Sequence, residues 1–214
     1  VCASAGNHAQ GFAFACQHFG VKGRIYMPVT TPQQKIIKTA SFGGNTIEII
    51  MQGDYFDETL QAALKYAHET GASMLPPYDH PDVIEGQASV GVEILNQLGQ
   101  APDMIITPVG GGGISSGLVK YFENHKIDFK FCEPLGGRSL YEALLANKLI
   151  TLDHVDNFVD GAAVARIGDH NFEILRNQKA SDVLGIPEGR ICTTITDMLN
   201  IEGIVLEPAG ALAI

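Results

Sequence analysis

Cysteine is sparse in this chain, and its distribution argues against two chemistries at once. Cys2, Cys16, Cys132 and Cys192 lie far apart, with no Cys-x-x-Cys pair and no Cys/His spacing that suits a structural zinc or a disulfide framework. Buried free thiols in a reducing compartment are the expectation. Basic residues are short as well: 14 Lys and Arg stand against 24 Asp and Glu, for a formal net charge of −10, and they are scattered. Without a basic stripe to neutralise a phosphate backbone, nucleic acid is disfavoured as a partner, and the acidic surface reads as a solvated exterior. No stretch approaches the roughly 20 apolar residues of a membrane span. No charged-then-apolar signal segment precedes the fold, so no membrane partner and a cytoplasmic location are expected. Internal repeats, low-complexity tracts and charge runs are missing too, and so is an initiator Met.

What is present is an ordinary globular composition. At 214 residues, 45% hydrophobic and 18% charged, the chain is long enough for one or two cores. Short apolar runs alternate with amphipathic ones. Gly6 to Phe19 reads as a helix, with Phe12, Phe14, Ala15 and His18 near a helical period and Gly20 as its stop. Arg24 to Pro28 reads as a strand, and Thr31-Pro32 supplies a cap and a proline at the first helical position before a helix over Gln33 to Phe42. A strand over Thr46 to Met51, a helix over Asp54 to Thr70 and a short strand at Ser73 to Leu75 follow.

Pro76-Pro77 lies in the turn-rich stretch that best suits a crossing between domains. Beyond it the pattern predicts a helix over Ser89 to Leu98, a buried strand over Met104 to Pro108, a helix over Ile114 to Asn124 and a strand over Phe129 to Cys132. Ser139 to Ala146, Asp169 to Gln178 and Glu188 to Asn200 read as helices, and Glu207-Pro208-Ala209-Gly210 opens another. Repeated strand–helix–strand order implies an α/β fold with parallel sheets and helices on both faces.

Two glycine-bearing segments carry chemistry. Gly110-Gly111-Gly112-Gly113 follows a strand and precedes a helix. There the backbone can approach an anion, and the helix N-terminus offers unpaired N–H donors with a positive dipole end. A phosphate suits it; a tight turn with no ligand is the plain alternative for an isolated glycine-rich loop. No Lys-Ser or Lys-Thr follows, which removes the nucleoside-triphosphate loop. Glu133 sits where a dinucleotide fingerprint places its acidic residue, yet Gly113-Ile114-Ser115-Ser116-Gly117 lacks the Gly-x-Gly-x-x-Gly rhythm, so a nicotinamide site stays open but weakly supported. In the second segment, Ser4, Gly6, Asn7 and His8 open a helix with N–H groups, a hydroxyl, an amide and an imidazole. Such groups suit a carboxylate, with Asn7 able to donate to a phenolate oxygen. Singly, Ser4 as an N-cap, Asn7 as a turn residue and His8 as a half-buried helix residue are the plain readings.

Taken jointly the motifs resemble a family. Ala3-Ser4-Ala5-Gly6-Asn7-His8-Ala9-Gln10-Gly11, Pro108-Val109-Gly110-Gly111-Gly112-Gly113-Ile114-Ser115-Ser116-Gly117 and Glu207-Pro208-Ala209-Gly210-Ala211-Leu212-Ala213 look like successive signatures of threonine dehydratase. That is a pyridoxal-phosphate enzyme of the tryptophan-synthase-β type. Asp160-Gly161-Ala162-Ala163-Val164 with Arg166-Ile167-Gly168-Asp169 adds to the likeness, which covers essentially the whole chain.

The resemblance implies two α/β domains of PLP fold type II, a small one over 1–72 and a large, incomplete one over 73–214, with pyridoxal 5′-phosphate in the crevice between them. It implies that Asn7 bonds the cofactor's 3′-oxygen, that Ser4, Ala5, Gly6, Asn7 and His8 form the substrate-carboxylate loop, and that Gly110, Gly111, Gly112, Gly113 and Ile114 bind the phosphate. Gly161 would line the site and Glu207 would lie near the pyridine ring. Glu133-Pro134 matches a cation position of some relatives, but Ser139 replaces their second acidic ligand, so no metal is expected. The Schiff-base Lys is expected upstream of Val1 and the Ser that pairs with the pyridine nitrogen downstream of Ile214. The chain would then be an internal fragment of the catalytic region, inactive alone.

The implied activity is dehydration and deamination of L-threonine, and of L-serine, to 2-oxobutanoate (from threonine) and ammonia in isoleucine biosynthesis, by a dimer or tetramer. Serine racemases of the superfamily carry a second Ser where this chain has Ala5, which favours elimination over racemisation. A serine-directed relative (dehydratase or racemase) and a non-catalytic paralogue are the other readings.

Overall fold

The structure, a computed structural model, describes residues 1–214. It divides into two compact units, Val1–Pro77 and Tyr78–Ile214. The division falls after Pro77 rather than after residue 72. The reason is local: the Val1 ammonium donates to the Ser73 carbonyl at 2.8 Å, and the Leu75 N–H donates to the Val1 carbonyl at 2.8 Å. These bonds tie residues 73–75 to the start of the first unit, although the strand expected there does not form.

The first unit is a three-stranded parallel sheet in the order β1 (Cys2–Ala3), β2 (Gly23–Met27), β3 (Ile47–Met51). Parallel neighbours need crossovers, and α1 (Asn7–Phe19) and α2 (Gln33–Gly43) provide them. On one face Cys2, Ile25 and Met27 pack with Ala9 and Ala13 of α1. On the other, Ala3 and Tyr26 pack with Ala63 of α3 (Phe56–Thr70). The buried stripe of α1 is Ala9, Ala13 and Cys16, not the Phe12, Phe14, Ala15 and His18 set. Small residues let this helix sit close to the sheet, while Phe14 is 57% exposed and stacks on His18. Nor does Thr31 cap α2: Pro32 occupies the N-cap position, and the buried Thr31 Oγ1 has no partner.

The second unit opens with α4 (Pro81–Gln87), absent from the sequence pattern, capped by His80 Nδ1 accepting the Asp82 N–H at 3.2 Å. After α5 (Ser89–Leu98) comes a second parallel sheet in the order β4 (Met104–Pro108), β5 (Asp128–Pro134), β6 (Val183–Ile186). β4 is not buried on both faces: Ile105 and Thr107 are enclosed, but Met104 and Ile106 are each 47% exposed. The main core joins Ile105, Phe131, Leu140 and Ile167 with Leu118 of α6 (Gly113–Tyr121) and Leu175 of α8 (Asp169–Leu175). A smaller core gathers Cys132, Val159, Ala162, Ile191 and Leu212. Ser139–Ala146 forms α7, and α9 (Glu188–Asp197) runs on as a π-helical turn to Gly203. Residues 207–210 open only a 3₁₀ turn, Ala209–Ala211.

All four cysteines are free; three are buried, but Cys192 is exposed. No helix is long and apolar enough to cross a membrane.

Candidate functional site

In the first unit the segment from Ser4 to His8 connects β1 to α1. The Ser4 N–H extends the β1–β2 pairing by donating to the Tyr26 carbonyl at 3.1 Å. The chain then turns, and Ser4 Oγ accepts the Gly6 N–H at 3.1 Å, leaving its own O–H able to donate elsewhere. Gly6 holds the N-cap position with no side-chain cap, and α1 starts at Asn7. The first-turn N–H groups of His8 and Ala9 are among those a helix leaves without an intrahelical acceptor. A Cβ on Gly6 would meet nothing within 4 Å, so this side of the turn is open. Asn7 is exposed and Ala5 half-buried. His8 Nε2 lies 3.1 Å from the Leu75 carbonyl, a contact only an Nε2–H can make. Burial pushes the His8 pKa below its ordinary value, with the Leu75 bond opposing. The neutral ring thus donates from Nε2 and keeps an acceptor at Nδ1.

In the second unit the tetraglycine leaves β4 and enters α6 with Gly112 at φ +96°, a left-handed conformation that favours glycine. The carbonyls of this loop are occupied from inside. Gly111 O accepts from Asn171 Nδ2 and from the Gly168 N–H, each at 3.1 Å. Gly112 O accepts the Ser116 N–H at 2.8 Å, and Pro108 O accepts Ser115 Oγ at 3.3 Å. The first-turn N–H groups of Gly113, Ile114 and Ser115 are those a helix leaves unpaired, at its positive end. A donor set with its acceptors turned away suits a phosphate dianion.

Packing also favours glycine in this loop, most strongly at Gly111. A Cβ on Gly111 would lie 2.3 Å from the Tyr78 ring, and one on Gly113 3.2 Å from Tyr78 Cβ. A Cβ on Gly110 would come within 3.1 Å of Ala162 Cα and 3.2 Å of the Gly161 carbonyl. One on Gly161 would sit 3.0 Å from Ala209 Cβ and 3.6 Å from Glu207 Oε1. Three segments far apart in sequence, around Gly110, Gly161 and Glu207, thus converge on one side of the α6 start.

Several participants carry no sequence signal. Tyr78 seals the loop from one side. Asn171, fully buried in the first turn of α8, donates to the Tyr78 carbonyl at 3.2 Å as well as to Gly111. Asp79 accepts the N–H groups of Asp169 and His170, each at 2.9 Å, and so caps α8. Glu133 is used differently from either sequence suggestion. It is fully buried, with Oε1 accepting the Leu140 N–H at 2.7 Å and Oε2 the Tyr141 N–H at 3.0 Å. Both oxygens face the first turn of α7, so they face neither a ribose hydroxyl nor a cation. Neighbouring Ser139 adds no charge, and this donor set does not fit a divalent metal.

A parallel α/β unit with a glycine loop between a strand and a helix N-terminus is an arrangement suited to a phosphate-bearing cofactor. The chain belongs to the pyridoxal-phosphate-dependent enzyme family, whose model matches residues 1–214. It is 44% identical over its whole length to the biosynthetic L-threonine dehydratase IlvA of Bacillus subtilis, covering 51% of that protein. The chain spans about half the length of the curated relatives it matches. Among solved structures, the processed threonine deaminase isoform 2 of Solanum lycopersicum superimposes with a TM-score of 0.92 at 35% identity, over 100% of this chain and 62% of that one. Maize serine racemase follows at 0.90 and 28%, over 99% and 63%. The fold is that of the type II pyridoxal-phosphate enzymes.

Proposed function

We propose that this chain supplies the substrate-carboxylate loop and the cofactor-phosphate loop of a pyridoxal-phosphate-dependent ammonia-lyase that converts L-threonine, and also L-serine, to a 2-oxo acid and ammonia. The observation that carries the reading is the convergence of Gly110, Gly161 and Glu207 beside the α6 N-terminus. In that arrangement the N–H groups of Gly110 to Ile114 hold the phosphate, Gly161 lines the ring site and Glu207 lies near the pyridine. Bound there, the pyridoxal ring serves as a sink for the electron pair left when the α-proton is removed. The Ser4–His8 loop grips the substrate carboxylate through the first-turn N–H groups of α1 and the Ser4 hydroxyl. Asn7 donates to the 3′-oxygen of the ring.

Threonine is favoured as substrate by the names of the relatives, a threonine dehydratase and a threonine deaminase. Ala5 supports elimination over racemisation, because a methyl group cannot deliver a proton to the opposite face of the substrate. In the cell the product 2-oxobutanoate would feed isoleucine biosynthesis, from a cytoplasmic dimer or tetramer.

The test uses full-length protein with pyridoxal phosphate or NAD, followed by threonine. A new visible absorption band with the first only, and 2-oxobutanoate release, is the expected result. A band without keto-acid release from threonine would leave a serine-directed relative, told by its turnover of serine, or a non-catalytic paralogue. A response to NAD alone would replace the reading altogether.

A further inference from the structure

We infer that Asn171 is a positioning residue for the anion-binding loop, setting the direction of the Gly112 N–H; this rests on the phosphate reading of that loop. Asn171 is fully buried in the first turn of α8, and its Nδ2 donates to two carbonyls, Gly111 at 3.1 Å and Tyr78 at 3.2 Å. Its own main-chain carbonyl accepts Ser116 Oγ of α6 at 3.4 Å. The side chain therefore ties the segment that covers the loop to the loop itself, and the main-chain carbonyl of the same residue adds the helix the loop enters.

The geometric consequence comes from the peptide plane. In a trans peptide the C=O of one residue and the N–H of the next point in opposite directions. Asn171 and the Gly168 N–H draw the Gly111 carbonyl toward α8, so the Gly112 N–H is turned away from α8, the direction in which the phosphate reading places the ligand. Gly112 can follow because its φ of +96° suits glycine. The Tyr78 carbonyl held by the same amide keeps the Tyr78 ring against Gly111 and the Tyr78 Cβ against Gly113.

A second feature separates this role from plain core packing. Asn171 Oδ1 is buried with no hydrogen-bond partner. A buried acceptor left unpaired is costly, and an apolar residue of similar size would avoid that cost. What such a residue would lose is a two-handed donor aimed at two carbonyls. The placement is that of a group kept for orienting backbone.

The test compares full-length wild-type protein with Asn171→Leu, measuring the affinity of each apo-protein for pyridoxal phosphate and for pyridoxal, which lacks the phosphate. The wild type should prefer the phosphorylated form. Asn171→Leu should weaken pyridoxal phosphate roughly tenfold, in line with loss of a hydrogen bond to a charged group, while changing pyridoxal little, so the ratio of the two affinities falls. If both affinities fall together, or the ratio is unchanged, Asn171 has only a structural role and the inference is wrong. If the wild type itself fails to prefer the phosphorylated form, the phosphate reading of the loop falls first and the inference with it. Should Asn171→Leu not fold, Asn171→Ser, which keeps one donor in place of two, carries the same comparison with a smaller expected drop in the ratio.

Discussion

The Glu133 carboxylate lies against the first turn of α7, with its Oε1 accepting the Leu140 N–H at 2.7 Å. A buried acid with two backbone N–H partners experiences opposing effects. The helix N-terminus favours the charged form, whereas burial favours the neutral one. Burial prevails and pushes the Glu133 pKa up to about 7, against an ordinary value of 4.5.

That shift fixes the sign of a pH effect. A carboxyl with a raised pKa in the folded state binds protons more tightly folded than unfolded. Its stabilising contribution is complete below pH 4.5 and is lost as pH rises through about 7. The loss should amount to about 3 kcal/mol. Glu133→Gln removes the titration, so urea unfolding of wild type and variant from pH 5 to 8 should show their stability difference moving in favour of Gln as pH rises. A wild type whose stability relative to Gln does not fall from pH 5 to 8 would mean that burial does not outweigh the α7 N–H groups.

His8 should behave with the opposite sign. Burial lowers its pKa from 6.5, so the unfolded chain takes up a proton first, and stability present above pH 6.5 is lost as pH falls below it. His8→Gln can still donate to the Leu75 carbonyl but cannot titrate. Thermal melts at pH 7.5 and 5.5 should show a larger drop for wild type than for His8→Gln; equal drops would remove burial of the ring as the cause. Because the Glu133 and His8 windows overlap, only the differences between each variant and the wild type separate them.

The glycine loop offers a steric test. A Cβ on Gly111 would fall 2.3 Å from the Tyr78 ring, and overpacking of this kind typically costs about 1–3 kcal/mol. Gly111→Ala should therefore destabilise the protein, and much less so in a Tyr78→Ala background, where the clashing ring is gone. The coupling across that double-mutant cycle should be of order 1 kcal/mol or more. Gly6→Ala, whose Cβ meets nothing within 4 Å, serves as the steric comparison. Independent, additive effects of Gly111→Ala and Tyr78→Ala would contradict the contact.

The contrast between Gly111 and Asn171 shows what the sequence can reveal. Strand–glycine–helix is a local pattern, so the loop and the parallel α/β order around it are legible from spacing alone. The partners that give the loop its shape are not: Asn171 reaches Gly111 across 60 positions and Tyr78 across 93. Neither residue type signals such a role by itself. The helix α4 was hidden by Pro81 at its start and Gly86 near its end, which read as turn chemistry when tertiary context is missing. The buried stripe of α1 escapes the hydrophobic pattern for a related reason. Ala9 and Ala13 carry less hydrophobic weight than Phe14, but close approach to a sheet selects small side chains over large ones.

Ala5 is the position at which one substitution should change the outcome of the reaction. It is half-buried between Ser4, whose hydroxyl accepts the Gly6 N–H, and Gly6, which has open space beside it. A serine Oγ at position 5 adds only one atom to the methyl group, so the loop should keep its course. The new hydroxyl would bring an exchangeable proton to a loop that, on the proposed function, lies against the substrate carboxylate. General acid–base groups in such positions contribute roughly 10²–10⁴-fold to proton-transfer steps. In the full-length enzyme, Ala5→Ser should raise D-serine formation from L-serine at least about tenfold relative to keto-acid release, measured by chiral chromatography alongside a dehydratase assay. The ratio is the decisive quantity, because a general loss of loop geometry would lower both products together. An unchanged ratio in a variant that still dehydrates threonine would show that Ala5 does not face the substrate, and elimination would then need another explanation in this chain.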